Sequence, residues 1–111
     1  MDNSLKESLD HANKMKVFNN QLRLLKEKYL ERNIYFTIGH QFTIDLKLIN
    51  YCVTLKNQDK TKDVIMLDDY DLPVRIDDLQ SFYDNIMDLY QQNLNAYIVE
   101  YNKLVQDKGR I

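Results

Sequence analysis

Residues 34–44 read IYFTIGHQFTI, which is the clearest β-hairpin pattern in the chain. Residues 34–38 alternate, so that their two isoleucines and the phenylalanine share one side of a strand, and residues 41–44 alternate again. Gly39 and His40 lie between the two strands, and a two-residue loop with glycine first is typical of a type II′ turn. The sequence therefore predicts a tight antiparallel hairpin.

A long helix is predicted before this hairpin, over residues 3–32, because no glycine or proline occurs between Met1 and Ile38. Apolar residues recur at steps of three and four, which indicates a coiled-coil seam. We predict residues 1–32 as a helix that projects or forms a coiled coil, and residues 33–111 as a small α+β domain. The seam, expected to contact another protein, consists of Met15, Phe18, Leu22, Leu25 and Tyr29.

Residues 45–56 fit two interpretations. As a strand, they would mix polar and apolar side chains on both faces. As a helix, they would begin after Asp45 as the N-cap, and the polar and apolar residues would separate. The pattern favours the helix, whose apolar face would consist of Leu48, Ile49, Cys52 and Leu55.

A second hairpin is predicted from strands at 63–67 and 72–76 with an acidic turn at 68–71, and Pro73 indicates an edge strand or a strand start. The fold class is therefore α+β: a long N-terminal helix, a small antiparallel sheet of two hairpins, and a long C-terminal helix. The simplest architecture is one three- or four-stranded sheet with the helices on one face. The two long helices could also pair with each other.

The last helix is predicted to begin after Asp77, with Gln80 completing a capping box, and to continue to about Asp107, with Gly109 at its end. This helix is rich in tyrosine, which suits partly hydrated interfaces but also the rim of a core. Three of its tyrosines are seven residues apart, which keeps them on one face. The predicted tyrosine interface consists of Tyr83, Tyr90, Tyr97 and Tyr101.

Charge is unevenly distributed, although the net charge of the 111 residues is only −2. Residues 63–88 contain eight aspartates and one arginine, a net charge of −7. Such acids commonly cap helices and form turns. Alternatively they form a patch that binds a basic surface. The predicted patch consists of Asp68, Asp69, Asp71, Asp77 and Asp78.

Catalytic, metal and membrane functions find little support in the composition. Cys52 is the single cysteine, and two histidines cannot build a histidine-rich site. The two glycines are too far apart for a phosphate-binding loop. No apolar run approaches the length of a bilayer span. We therefore expect a non-enzyme with no cofactor and no bound metal, no membrane association, and no nucleic-acid partner.

Residues 33–106 resemble a small domain found in tail and tail-assembly proteins of tailed bacteriophages. The resemblance depends on FTIGHQFTID at 36–45 and on DDYDLPV at 68–74. It implies a phage structural or assembly role without a cofactor, which would place the protein in the virion. The single cysteine and the lack of an apolar signal-peptide core at the N-terminus favour synthesis in a reducing cytoplasm, here that of the host cell.

We accordingly expect a non-enzymatic protein–protein interaction module that forms a homo-oligomer or a larger assembly. The alternative is a small phage-encoded inhibitor or counter-defence protein, whose acidic patch would bind a basic groove on a host enzyme.

Overall fold

The computed structural model describes residues 3–109, in which three helices alternate with two β-hairpins, and it confirms the predicted α+β class. Residues 1, 2, 110 and 111, which the predicted domain ranges include, lie outside the described residues. The elements are α1 (Asn3–Arg32), β1 (Ile34–Thr37), β2 (His40–Thr43), α2 (Leu46–Asn57), β3 (Lys62–Leu67), β4 (Pro73–Asp78) and α3 (Leu79–Gly109).

The first hairpin has the predicted antiparallel pairing but a different turn. Thr37 pairs with His40, so the loop is Ile38-Gly39, one residue earlier than predicted. Both loop residues have positive φ, 52° for Ile38 and 77° for Gly39, which defines a type I′ turn and corrects the predicted type II′ turn. Glycine adopts this conformation freely, whereas a β-branched isoleucine is strained in it.

The two hairpins form separate two-stranded sheets, so the expectation of one continuous sheet is wrong. Asp69, in the turn of the second hairpin, occupies the outer edge of β2. Its backbone N–H donates to the Gln41 carbonyl at 2.9 Å, and its Oδ1 accepts from the Thr43 backbone N–H at 2.8 Å. A turn therefore takes the place where a third strand would have paired.

Residues 45–56 form a helix, as the pattern favoured. The Asp45 carboxylate accepts from the Leu48 backbone N–H at 2.8 Å and caps α2. The helix contributes Ile49, Cys52 and Leu55 to the core. The core lies between both hairpins, α2 and the first half of α3, and its most deeply buried side chains are Phe42, Leu79, Ile86 and Cys52.

The N-cap of α3 is Asp78, one residue later than predicted, because β4 continues through that residue. Asp78 accepts from the Gln80 backbone N–H at 3.1 Å and from the Ser81 hydroxyl at 3.1 Å. The Gln80 side chain donates to Asp84 at 2.9 Å instead of closing the predicted capping box.

The two long helices pair with each other in antiparallel orientation, one of the arrangements that the sequence left open. Tyr29 meets Tyr97, and Phe18 lies beside Leu104. We call α1 together with residues 93–107 the helical arm, and residues 33–92 the globular end. The described chain measures 71 × 24 × 22 Å, and no residue of α1 is buried.

Candidate protein-interaction surfaces

The predicted seam on α1 and the predicted tyrosines on α3 meet within the chain. The ring centroids of Tyr29 and Tyr97 lie 4.6 Å apart in an edge-to-face arrangement. The side chain of the neighbouring Tyr29, together with burial, raises the pKa of Tyr90. Both predicted interfaces therefore contribute to contact between α1 and α3.

This internal contact covers the seam only in part. All five seam residues are half-buried, and so are three of the four tyrosines. The Lys56 ammonium nitrogen lies 4.1 Å from the centroid of the Tyr83 ring, in a cation–π contact. Tyr101 is 39% exposed. The half-buried positions are Met15, Phe18, Leu22, Leu25, Tyr29, Tyr83, Tyr90 and Tyr97.

Polar contacts fix the base of the arm. The Asn93 side-chain amide donates to the Arg32 carbonyl and to Asn33 Oδ1, both at 2.8 Å. Further along, Lys28 and Arg32 approach the same oxygen of Glu100 at 3.1 and 3.4 Å. The Lys28 hydrogen bond and the nearby Arg32 lower the pKa of Glu100. These contacts hold α1 against α3 at the junction with the globular end.

An apolar stripe on α3 lies beside the α1 contact, and three of its four residues are exposed in the described chain. We call it the α3 stripe, and its residues follow one another at steps of four, three and four, which keeps them on one helix face. Part of it lines a shallow depression of about 330 Å³ together with Tyr29 and Tyr97. The stripe consists of Leu94, Ile98, Tyr101 and Val105.

Of the four residues of the stripe, the sequence predicted only Tyr101 as an interface residue. The step pattern of the stripe could have revealed a second face. Ile98 and Val105 are 50% and 40% exposed, so their apolar surface is available to a partner. Single exposed apolar residues are common, but a row of them along a helix indicates a contact surface.

The predicted acidic patch is largely engaged in local structure. The Asp68 side chain is buried, and its Oδ2 lies 2.7 Å from Nδ1 of His40. Its other oxygen accepts from the backbone N–H groups of Tyr70 and Leu72 at 2.8 and 2.9 Å. The hydrogen bond from His40, together with these backbone bonds, lowers the pKa of Asp68.

Of the other four aspartates in the predicted patch, two have hydrogen-bonded side chains and two are exposed to solvent. Asp69 accepts from the Thr43 hydroxyl at 2.8 Å and from the Gln41 amide at 3.0 Å, and Asp78 caps α3. Hydrogen bonds with Ser81 lower the pKa of Asp78. Asp71 and Asp77 are exposed. The geometry therefore agrees with acids that cap a helix and shape a turn.

Candidate catalytic and metal-binding groups are not assembled in the described part of the chain. Cys52 is fully buried, and burial raises the pKa of its thiol to about 11, so that it stays protonated at neutral pH. Within residues 3–109, no three His, Cys, Asp or Glu side chains converge as a metal site would require. None of the helices in that range has both the length and the apolar character to cross a bilayer.

Comparisons of the chain with protein-family models, curated proteins and solved structures gave no match. The resemblance to phage tail proteins stays a prediction.

Proposed function

We propose that this chain is a non-enzymatic protein–protein interaction module and that its helical arm associates with a second copy. The observation that supports this proposal is the α3 stripe, which extends along α3 from Leu94 to Val105. Because it lies beside the internal α1 contact, a second arm could pack across both helices of the first.

The arm itself is an incomplete hydrophobic layer. Two helices alone leave each contacting side chain open on one side, and α1 accordingly has no buried residue. Helical bundles complete such a layer with further helices at interaxial distances of about 8–10 Å. A second arm would convert the two-helix pair into a four-helix bundle and bury the half-exposed seam.

The arm is large enough for a stable interface. The 30 residues of α1 span about 45 Å, the 15 residues of α3 in the arm span about 22 Å, and each helix is about 10 Å wide, so one face offers on the order of 700 Å². That is about the area each partner buries in an ordinary specific interface. The identical stripe on each copy would suit a two-fold symmetric dimer.

The predicted setting in a phage virion or its assembly remains part of this proposal, since assembly proteins act through such contacts. The alternative, an inhibitor that uses the acidic patch, has weaker support from the geometry. Asp68, Asp69 and Asp78 already hold the two hairpins and α3, which leaves fewer carboxylates for a basic partner.

Sedimentation equilibrium of the full chain with Ile98→Asp tests the proposal, and Val99→Asp is the matched control. The two residues are adjacent and have 50% and 53% exposure, but Val99 faces away from the stripe. A buried aspartate at the interface should cost at least about 2 kcal/mol and raise the dimer dissociation constant roughly 30-fold.

We expect a dimer for the wild type and for Val99→Asp, and a monomer for Ile98→Asp at the same concentration. A wild-type chain that stays monomeric at high concentration would contradict self-association. Equal weakening by the two substitutions would show that the α3 stripe is not the contact.

A further inference from the structure

A second open surface lies on the globular end, along β3. Asp68 N–H donates to the Leu72 carbonyl at 2.9 Å, so these residues form a hydrogen-bonded pair. Such pairs alternate along an antiparallel ladder, and Met66 with Val74 is the next one. The backbone groups of Ile65 and Leu67 therefore point away from β4. Within residues 3–109 no hydrogen bond joins them to another element.

Two other strand edges have protection that the outer edge of β3 lacks. Asp69 occupies the outer edge of β2, as described above. Pro73 removes a backbone N–H from the outer edge of β4. Natural proteins usually protect an open edge with charges or proline. Residues 64–67, by contrast, read VIML, with Ile65 and Leu67 49% and 59% exposed.

A groove separates this open edge from α2. One part, of about 430 Å³, has Leu48 and Tyr51 of α2 on one wall and residues 65–67 on the other. A second part, of about 500 Å³, continues along residues 59–65 and shares Tyr51 and Ile65 with the first. The groove therefore follows most of β3 and combines apolar walls with unpaired backbone groups.

The two ends of the groove differ in charge. Asp45, Asp69 and Asp71 line the end beside the turn of the second hairpin, where Lys47 is the one basic residue among the lining groups. At the opposite end, Lys60 and Lys62 balance Asp59 and Asp63. A ligand that follows the groove would meet a negative field at one end only.

We propose that this groove binds an extended peptide segment of a partner protein, which adds to β3 as a further strand and places a basic residue beside Asp71. Main-chain hydrogen bonds to Ile65 and Leu67 would supply affinity, and alternate apolar side chains would contact Leu48 and Tyr51. The net negative end of the groove selects the basic residue. β3 has six residues, so a segment of about six residues matches its length.

Five acetylated and amidated peptides test the proposal by two-dimensional NMR of the full chain. Two alternate valine and threonine, with lysine at the first or the last position, so that both strand directions are sampled. The third carries glutamate in place of the lysine. The fourth and fifth are the better lysine peptide with N-methyl groups on alternate residues of one edge or of the other, which removes the main-chain donors from that edge.

We expect a lysine peptide at millimolar concentration to shift the Ile65 and Leu67 amide resonances and to slow their hydrogen exchange. The glutamate peptide should bind about tenfold more weakly. Methylation of the edge that faces β3 should abolish binding, whereas methylation of the opposite edge should not.

Two proline variants provide a matched pair. Ile65→Pro removes an outward N–H from β3, and Arg75→Pro removes one from the opposite edge, since Arg75 pairs with Ile65. Only the first should abolish binding. Should either variant not fold, Leu67→Lys with Arg75→Lys as its control tests the same edge.

The proposal is overturned if no peptide moves the Ile65 and Leu67 resonances, or if methylation of the peptide edge that faces β3 leaves binding unchanged. It is also overturned if raising the protein concentration without peptide shifts the Ile65 and Leu67 resonances, because the occupant would then be a second copy. These resonances report the β3 edge and not the helical arm, so failure here is distinct from failure of arm dimerisation.

Discussion

The globular end and the helical arm contain side chains of the same kinds but use them differently. Phe42 in the globular end is 2% exposed and packs against Phe82 with ring centroids 5.2 Å apart. Phe18 in the arm is only half-buried. In the globular end, four structural elements surround the apolar side chains: the two hairpins, α2 and the first half of α3. The arm offers each apolar group one neighbouring helix, which leaves surface for a partner.

The largest expected effect compares the two phenylalanines directly. Phe42→Ala should lower the free energy of unfolding by about 3–5 kcal/mol, because it leaves a cavity in a closed core. Phe18→Ala should cost about 1 kcal/mol, because its site is open and loses less buried area. Urea denaturation followed by circular dichroism, at low protein concentration, measures both. Equal losses would mean that the arm is as closed as the globular end.

Asn93→Ala tests the junction between the two regions. Its amide is bound to the Arg32 carbonyl and to Asn33 Oδ1, and Asn33 is 3% exposed, so the substitution leaves buried polar groups without this partner. We expect a loss of about 1–3 kcal/mol in the free energy of unfolding. Hydrogen exchange along α1 should also accelerate. The exposed Asn102→Ala serves as control, and a similar loss there would argue against a special role for the junction.

Ile38→Asn should stabilise the globular end and leave the arm unchanged. Ile38 has φ of 52°, a region that is strained for a β-branched residue and well tolerated by asparagine, and Asn-Gly is a favoured type I′ pair. The expected gain is about 1 kcal/mol in thermal or urea denaturation. Phe36→Asn, at a neighbouring exposed position with ordinary φ, should give no gain. A loss for Ile38→Asn would mean that the exposed isoleucine makes a stabilising contact.

The smallest expected effect concerns acid pH. The pKa of Asp68 is lower in the folded chain than its ordinary value of 3.8, so its ionised form favours folding. The stabilisation by ionised Asp68 is fully present at pH values well above 3.8. It is lost as the pH falls through 3.8 towards the lower pKa of the folded chain. The urea midpoint plotted against pH should fall on the acid side, and we call this fall the acid limb. Asp68→Asn should make the acid limb less steep.

Asp71→Asn is the matched control for the acid profile, because Asp71 is in the same turn but exposed. It should keep the steep acid limb of the wild type. The limb should not vanish in Asp68→Asn, since the pKa values of Asp78 and Glu100 are lowered as well. An unchanged limb in Asp68→Asn would contradict the role given to its contact with His40.

Local patterns predicted most elements because local chemistry forms them. Asp45 caps α2 with its own side chain, and the 3-4 spacing from Met15 to Tyr29 gives α1 one apolar face. The turn of the first hairpin was predicted one residue late. Glycine in a two-residue loop fits either position, and pairing of Thr37 with His40 places it second. Nothing in the local sequence distinguishes these registers.

The sites were harder to predict than the elements. The sequence indicated that the α1 seam and the tyrosines of α3 would contact something, but a face with 3-4 spacing does not specify its partner. In the structure, each covers part of the other, with Tyr29 against Tyr97. The α3 stripe and the β3 groove are defined by what those contacts leave open, and an open surface is a property of the whole fold.

By itself, the amino-acid sequence determined the two long helices, the two hairpins and the uneven charge, and it favoured the short helix between the hairpins. These features depend on periodicity, turn residues and caps, which act over a few residues. Only the tertiary structure decided that the hairpins stay separate, that Asp69 closes the edge of β2 while β3 stays open, and that the long helices pair. Those outcomes depend on which surfaces meet across long sequence separations, where burial and unpaired backbone groups, and not local preference, set the free energy.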